Sequence, residues 1–190
     1  MIETSSSNGY TSDKLKSIDE TTEIINKLRE NQRRLRKCVG EVRNKEMLVG
    51  LCIGGYDLLH PGHMTHIRSA KGLCDLLVVG VTTDRFNKDR KGKGRPIYNE
   101  NLRAFTLTQL EKVDLVFLSD YDMAVQPILR IKPDLYIKGP DYLTLGDNKT
   151  EAARRLAERE ATASVGGKVI FTADEKLSTS TIIKYIQSMV

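Results

Sequence analysis

An α/β fold built on a mostly parallel, doubly wound sheet is what this 190-residue sequence predicts. Five short apolar runs, at 47–53, 76–82, 113–119, 134–138 and 168–172, alternate with helical stretches. The runs are apolar throughout, as strands covered by helices on both faces are. Strands alternating with helices imply βαβ units joined by right-handed crossovers. The expected architecture is therefore Rossmann-like: five parallel strands between two helical layers, with an extra helix ahead of the first strand.

In chain order, residues 1–12 are polar, rich in Ser, Thr, Asn and Gly, and read as a disordered tail. Residues 13–45 read as one helix. Ile18, Thr21, Ile25, Leu28, Gln32, Leu35, Val39 and Val42 fall on alternating steps of three and four, a heptad seam with two polar members. That helix either lies amphipathically on its own domain or forms a dimer contact. The chain thus divides into a tail and helix, 1–46, and an α/β domain, 47–190. Within the domain, helices are expected near 62–72, 99–111, 123–131, 150–160 and 179–189, the last with an apolar stripe of Ile182, Ile183, Ile186 and Met189.

Composition narrows the function. At 39% hydrophobic and 29% charged, the chain can bury a sizeable core. Its longest apolar run outside glycine is about five residues, far from the roughly 20 that span a bilayer, and its first residues lack a secretory pattern. Cys38, Cys52 and Cys74 form no C-x-x-C pair, so a cytoplasmic protein without disulfides is expected. The net charge of +5 is concentrated in one segment: Arg85, Lys88, Arg90, Lys91, Lys93 and Arg95 face Asp89 alone, and the rest of the chain is neutral. One cationic segment suits a small polyanion such as a nucleoside triphosphate. A nucleic-acid coat is not expected, because aromatic residues are 6% of the chain and Trp is absent.

The chemistry gathers after the first strand, in Gly54-Gly55-Tyr56-Asp57-Leu58-Leu59-His60-Pro61-Gly62-His63. Gly54 and Gly55 let the backbone approach a ligand closely. Pro61 suits the first turn of a helix. Gly62 and His63 then lie at that helix's N-terminus, where free N–H groups and the dipole favour anions. His60 and His63, three apart around Pro-Gly, aim two imidazoles at one spot. Zinc would need further ligands, and none is evident nearby, so no resident metal site is expected. His66 is assigned to an ordinary satisfied position.

H-x-G-H after a Gly-Gly-aromatic-Asp turn resembles the cytidylyltransferase-type nucleotidyltransferases. The resemblance continues through TTDRFNKDRKGKGRPIYNENLR, LEKVDLVFL, KPDLYIKGPDY and LSTSTIIKYI, and covers about residues 47–188. It comes closest to the heptose-phosphate adenylyltransferase branch, the adenylyltransferase part of bacterial ADP-heptose synthase. The resemblance implies attack by a phosphate monoester on the α-phosphorus of a nucleoside triphosphate, with release of pyrophosphate. It assigns His60 and His63 to the nucleotide's phosphates, alongside Tyr56 in the same turn, and Lys88 and Lys91 to a mobile basic loop that neutralises the triphosphate. Arg95 and Arg103 become candidates for holding phosphates of substrate or nucleotide. Ser178, Thr179 and Ser180 resemble a Ser-Thr-Thr phosphate motif, although the same hydroxyls also suit a helix cap. Lys138 and Asp141 fall in a block resembling Lys-Gly-Gly-Asp-Tyr, with Pro140 in place of the second glycine, and are expected near the acceptor. Asp57 either orients the acceptor or stabilises its own turn.

Magnesium is expected as the triphosphate's counter-ion rather than in a protein cage. The expected partners are a nucleoside triphosphate and a phosphorylated small-molecule acceptor, without nucleic acid or membrane, in a homodimer that the N-terminal helix could form. Cytidylyltransferases for alcohol phosphates carry an Arg-Thr pair before the Ser-Thr-Thr motif, where this chain has Phe171-Thr172. That favours ATP with a heptose 1-phosphate-type acceptor. A CTP-dependent enzyme acting on an alcohol phosphate or phosphonate is the alternative, and a nucleotide-binding module without turnover is the reading from another class.

Overall fold

The apolar runs become five parallel strands: β1 (Val49–Gly54), β2 (Leu76–Thr82), β3 (Leu115–Ser119), β4 (Leu135–Lys138) and β5 (Lys168–Phe171). The computed structural model describes residues 10–39, 46–91, 94–142, 149–175 and 177–189, and only the backbone of residues 36–39, 89–91 and 141. The strand order is β3-β2-β1-β4-β5. Every pairing is parallel, with Val49 opposite Leu76 at the start of the β1–β2 register. The chain therefore winds outward from β1 in one direction through β2 and β3, then crosses back to place β4 on the other side. A crevice opens at such a switch point, beyond the carboxyl ends of β1 and β4.

Seven helices cover the sheet among the described residues: α1 (Ile18–Val39), α2 (Pro61–Leu73), α3 (Asp84–Lys91), α4 (Glu100–Thr108), α5 (Val125–Ile131), α6 (Lys149–Ser164) and α7 (Thr179–Gln187). Alternate side chains of each strand feed opposite faces. Leu77, Val79 and Val81 pack with Ile67 and Ala70 of α2 and Ala104 and Leu107 of α4. Val78, Val49 and Leu51 pack on the other side with Ile25 of α1, Ile128 and Ile131 of α5 and Ala161 of α6.

The start of the first helix differs from expectation. Residues 13–17 are not helical: Lys16 N–H donates to Val116 O and Val116 N–H to Lys14 O, at 2.9 and 2.8 Å, so this segment pairs with the outer edge of β3. Covering a sheet edge this way removes a row of unpaired backbone groups. Ser17 caps α1, its Oγ accepting from Glu20 N–H while Glu20 returns a bond to Ser17 N–H. Thr21 and Ile25 are fully buried on the domain, while Leu28 and Leu35 are exposed. Residues 1–9 of the expected tail and 40–45 of the expected helix, Val42 included, lie outside the described residues. The other addition is α3, at the start of the basic segment. Its sequence, DRFNKDRK, holds a single apolar residue, Phe86, and pattern alone reads it as loop.

Candidate active site

The turn after β1 holds two residues in the left-handed region, Tyr56 (φ 48°) and Leu58 (φ 49°). For bulky side chains this conformation costs about 1–3 kcal/mol each and persists only where the surroundings fix it. Here the fixing is visible. Asp57, between them, is 4% exposed; its carboxylate accepts from Ile97 N–H (2.9 Å), Tyr98 N–H (3.1 Å) and Arg95 Nε (2.8 Å). Its backbone carbonyl accepts from Thr179 Oγ1 at 2.7 Å. Asp57 thus fastens its own turn to the end of the basic segment and to the start of α7. It is a turn anchor, and the acceptor-orienting alternative is not supported by this arrangement.

His60 is the N-cap of α2 with no side-chain cap bond, so its imidazole is not spent on the helix, and Pro61 follows at the first helical position. The His60 and His63 rings stack with centroids 3.8 Å apart and planes 22° from parallel. Tyr56 lies tilted against His63 at 5.4 Å. Gly62 is tightly enclosed: a Cβ there would come within 3.1 Å of the His60 ring and 3.0 Å of Leu177 Cβ, so a neighbour would have to give by a few tenths of an ångström. The expected convergence of the two imidazoles is present. His60 lies behind His63, 6% exposed, and its Nδ1 has no partner among the described residues. Burial lowers the His60 pKa below the ordinary 6.5, which favours the neutral ring. Burial also pushes the Tyr56 phenol well above its usual range, keeping it neutral.

The α7 N-terminus closes beside this pair. Ser178 is its N-cap, accepting from Thr181 N–H at 3.2 Å. Thr179 is buried on the Asp57 turn, and Ser180 is exposed. Two helix N-termini, those of α2 and α7, therefore meet at the histidines, and unpaired N–H groups with their dipoles favour an anion there.

The crevice itself has a volume of about 690 Å³, within the range of small-molecule sites. Gly54, Gly55, Tyr56 and His63 line one side, and Lys138, Gly139 and Tyr142 the end of β4. The far wall comes from Asp122, Arg154, Arg155 and Glu158. The basic segment is pinned at both ends. Asp84 N–H donates to Glu100 at 2.7 Å where α3 starts, and Arg95 pairs with Asp57 where the segment ends. Lys88 is exposed on α3, while the Lys91 and Asp141 side chains lie outside the described residues.

Arg103 corrects the sequence reading. Its side chain is completely buried, not displayed to a phosphate. The guanidinium donates to Tyr98 O (3.0 Å), Thr82 O (2.8 Å), Asp84 Oδ1 (2.7 Å) and Gly55 O. All three nitrogens are committed to holding the β1 turn, the end of β2 and the start of α3 together.

Three residues that the sequence reading did not single out, Asn87, Tyr136 and Glu158, shape the crevice together with His66, which it assigned to an ordinary satisfied position. Asn87 is 3% exposed, lies against Gly55, and has an unpartnered Nδ2 among the described residues; a Cβ on Gly55 would meet that amide at 2.9 Å. His66 lines the crevice, with Nδ1 2.9 Å from Thr172 Oγ1. Tyr136 and Glu158 are buried at the far wall and bonded at 3.1 Å. Asn87 and Glu158 sit in polar helical stretches that read as solvated faces, so no spacing signal marked them.

Among the described residues, no three His, Cys, Asp or Glu side chains gather as a metal site. Asp57 is the carboxylate next to the histidine motif, and its bonds to Arg95, Ile97 and Tyr98 leave it ill-suited as a ligand. No helix among the described residues is long and apolar enough to cross a membrane.

Residues 51–185 match the model of the cytidylyltransferase-like family. The chain belongs to that family. Its curated relatives include the bifunctional protein HldE of Nitrobacter winogradskyi, 36% identical over 143 residues, which span 75% of this chain and 28% of that protein. The bifunctional protein HldE of Helicobacter pylori strain G27 is 34% identical over 173 residues, 91% of this chain and 35% of its own. This cytidylyltransferase-like chain thus spans about a third or less of the length of these relatives. Among solved structures, the lipopolysaccharide core biosynthesis protein of Thermoplasma volcanium superposes with a TM-score of 0.56 at 24% identity, covering 68% of this chain and 99% of that one. The pantoate-beta-alanine ligase of Francisella tularensis superposes at 0.53 with 15% identity, covering 92% and 77%. These two likenesses show the shared α/β fold. Family membership places the chain among the nucleotidyltransferase enzymes.

Proposed function

We propose that this chain transfers the adenylyl group of ATP to a sugar 1-phosphate of the heptose type, giving an ADP-sugar and pyrophosphate. The observation that carries the reading is the stacked His60–His63 pair set between two helix N-termini at the mouth of the crevice. The relatives named HldE support the choice of acceptor class.

In this reading the triphosphate lies along the α2 and α7 N-termini, with its α-phosphate at His63. An oxygen of the acceptor's phosphate forms a bond to the α-phosphorus. The bond from that phosphorus to the oxygen bridging to the β-phosphate breaks, and its electron pair leaves with pyrophosphate. His63, with His60 stacked behind it, donates to a non-bridging oxygen whose charge grows at the five-coordinate stage. Donors fixed before the reaction stabilise such charge without reorganising. Lys88 and Lys91 neutralise the leaving pyrophosphate, and Ser178 and Ser180 border its other side. Asp57 and Arg103 hold the turn in place beneath. Magnesium carried by the triphosphate would screen its charge. Lys138, which lines the crevice, and Asp141 are assigned to the acceptor.

Pyrophosphate release tests the proposal, with ATP and CTP each offered against heptose 1-phosphate, mannose 1-phosphate and glycerol 3-phosphate. Turnover is expected with ATP and a sugar 1-phosphate. Turnover confined to CTP with glycerol 3-phosphate would overturn the substrate assignment, and none with any pair would overturn the reaction.

A further inference from the structure

The far wall of the crevice holds a buried polar network of which the reaction described above uses only Lys138. Glu158 of α6 is 9% exposed. Its Oε1 accepts from Ala124 N–H at 3.2 Å, and its Oε2 from the hydroxyls of Tyr136 (3.1 Å) and Tyr142 (3.2 Å). Lys138 Nζ donates to the Tyr136 hydroxyl at 3.0 Å and stands 3.9 Å from Glu158 Oε2. The same ammonium lies 5.0 Å from the centroids of both tyrosine rings. A carboxylate offers about four acceptor positions. Among the described residues three are occupied, and the one left over is on Oε1, with Glu158 lining the crevice.

Direction follows from the reaction. In-line displacement puts the attacking and leaving oxygens on opposite sides of the phosphorus. The α2 and α7 N-termini gather the leaving pyrophosphate on one side, so the acceptor enters from the other, where α6 stands. Hydroxyl-rich molecules are recognised by acceptors that are buried, fixed and incompletely satisfied, because the missing partner is costly to leave unmade. We propose that Glu158, held by Tyr136, Tyr142 and Lys138, is a specificity-determining residue that accepts a hydrogen bond from a hydroxyl of the acceptor's sugar. This rests on the reading of the crevice as a site for ATP and a sugar phosphate, and it adds the residue that separates a polyhydroxylated acceptor from a short alcohol phosphate.

The test is calorimetric titration of the full chain with mannose 1-phosphate and with glycerol 3-phosphate, each in the presence of a non-hydrolysable ATP analogue and magnesium. The wild-type protein is expected to bind mannose 1-phosphate more tightly than glycerol 3-phosphate. Glu158→Gln should weaken mannose 1-phosphate binding by roughly tenfold or more, the scale of a lost bond to a charged acceptor. Glycerol 3-phosphate and the ATP analogue should stay within about twofold. Equal weakening of all three ligands, no weakening, or no wild-type preference overturns the inference. Tyr142→Phe, which leaves the carboxylate in place, guards against misfolding of the first variant. It should also weaken mannose 1-phosphate selectively, and an unchanged preference counts against the subsite. A wild-type protein that shows the preference but releases no pyrophosphate keeps the subsite and removes the proposed reaction.

Discussion

Replacing Arg103 by alanine separates a buried structural guanidinium from a phosphate ligand. In the structure the side chain is wholly buried, and it joins Asp84 Oδ1 and three backbone carbonyls, those of Gly55, Tyr98 and Thr82. Truncation leaves Asp84 without its arginine and three carbonyls without their donor. Breaking a buried pair of this kind costs about 3–5 kcal/mol. For a chain of this size each kcal/mol lowers Tm by roughly 2–4 °C, so a drop on the order of 10 °C is expected. Thermal unfolding followed by circular dichroism, with and without the ATP analogue, reads the result. Arg103→Lys should recover only part of the loss, because a single ammonium cannot reproduce the fork. A Tm within about 2 °C of wild type, together with an affinity for the analogue reduced tenfold or more, would refute the reasoning and return Arg103 to the phosphates.

Further outcomes follow from the same geometry. His63→Ala should lower turnover by roughly 10² or more, with little change in Tm, as the loss of one donor to the transition state does; steady-state pyrophosphate release checks this. Gly62→Ala should lower turnover through displacement of the His60 ring, which a Cβ would meet at 3.1 Å, and the analogue's affinity in the same variant reports whether the phosphate site has moved. Burial depresses the pKa of His60 and, as the largest of several causes, that of His66. The unfolded chain therefore binds more protons than the native one just below the ordinary pKa of 6.5, and stability falls as pH drops through that value. Urea midpoints at pH 7.5 and pH 5.5 should show the decline, and it should shrink in His60→Gln. Ile25→Ala should destabilise by about 2–5 kcal/mol, since this residue of α1 is fully buried against the sheet; a surface-like change in the urea midpoint would deny that packing.

The strands and the histidine motif were legible because their signals are local. Each strand is a short apolar run, and His60, Pro61, Gly62 and His63 are adjacent in sequence. What stayed hidden depends on direction or distance. Arg103 looks like any basic residue on a helix, and only the fold reveals that it turns inward beneath Gly55 and Thr82. The Asp57 turn closes on Ile97 and Tyr98 some forty positions later, which no spacing predicts. Glu158 lies in a charged stretch of α6 that reads as solvated surface, yet the helix buries it against Tyr136. The seam of α1 was visible, but its two ends have different environments: Thr21 and Ile25 are inside, whereas Leu28 and Leu35 remain exposed. Leu15 shows the same limit, since its pairing with Val116 is a long-range contact.

A crystal structure with α,β-methylene-ATP and magnesium is the most direct measurement of where the triphosphate sits. The account predicts the α-phosphate within hydrogen-bond reach of His63, with the terminal phosphates between the α2 and α7 N-termini and the wall at Glu158 left open. Density for the phosphates against α6, with the histidines untouched, would contradict it.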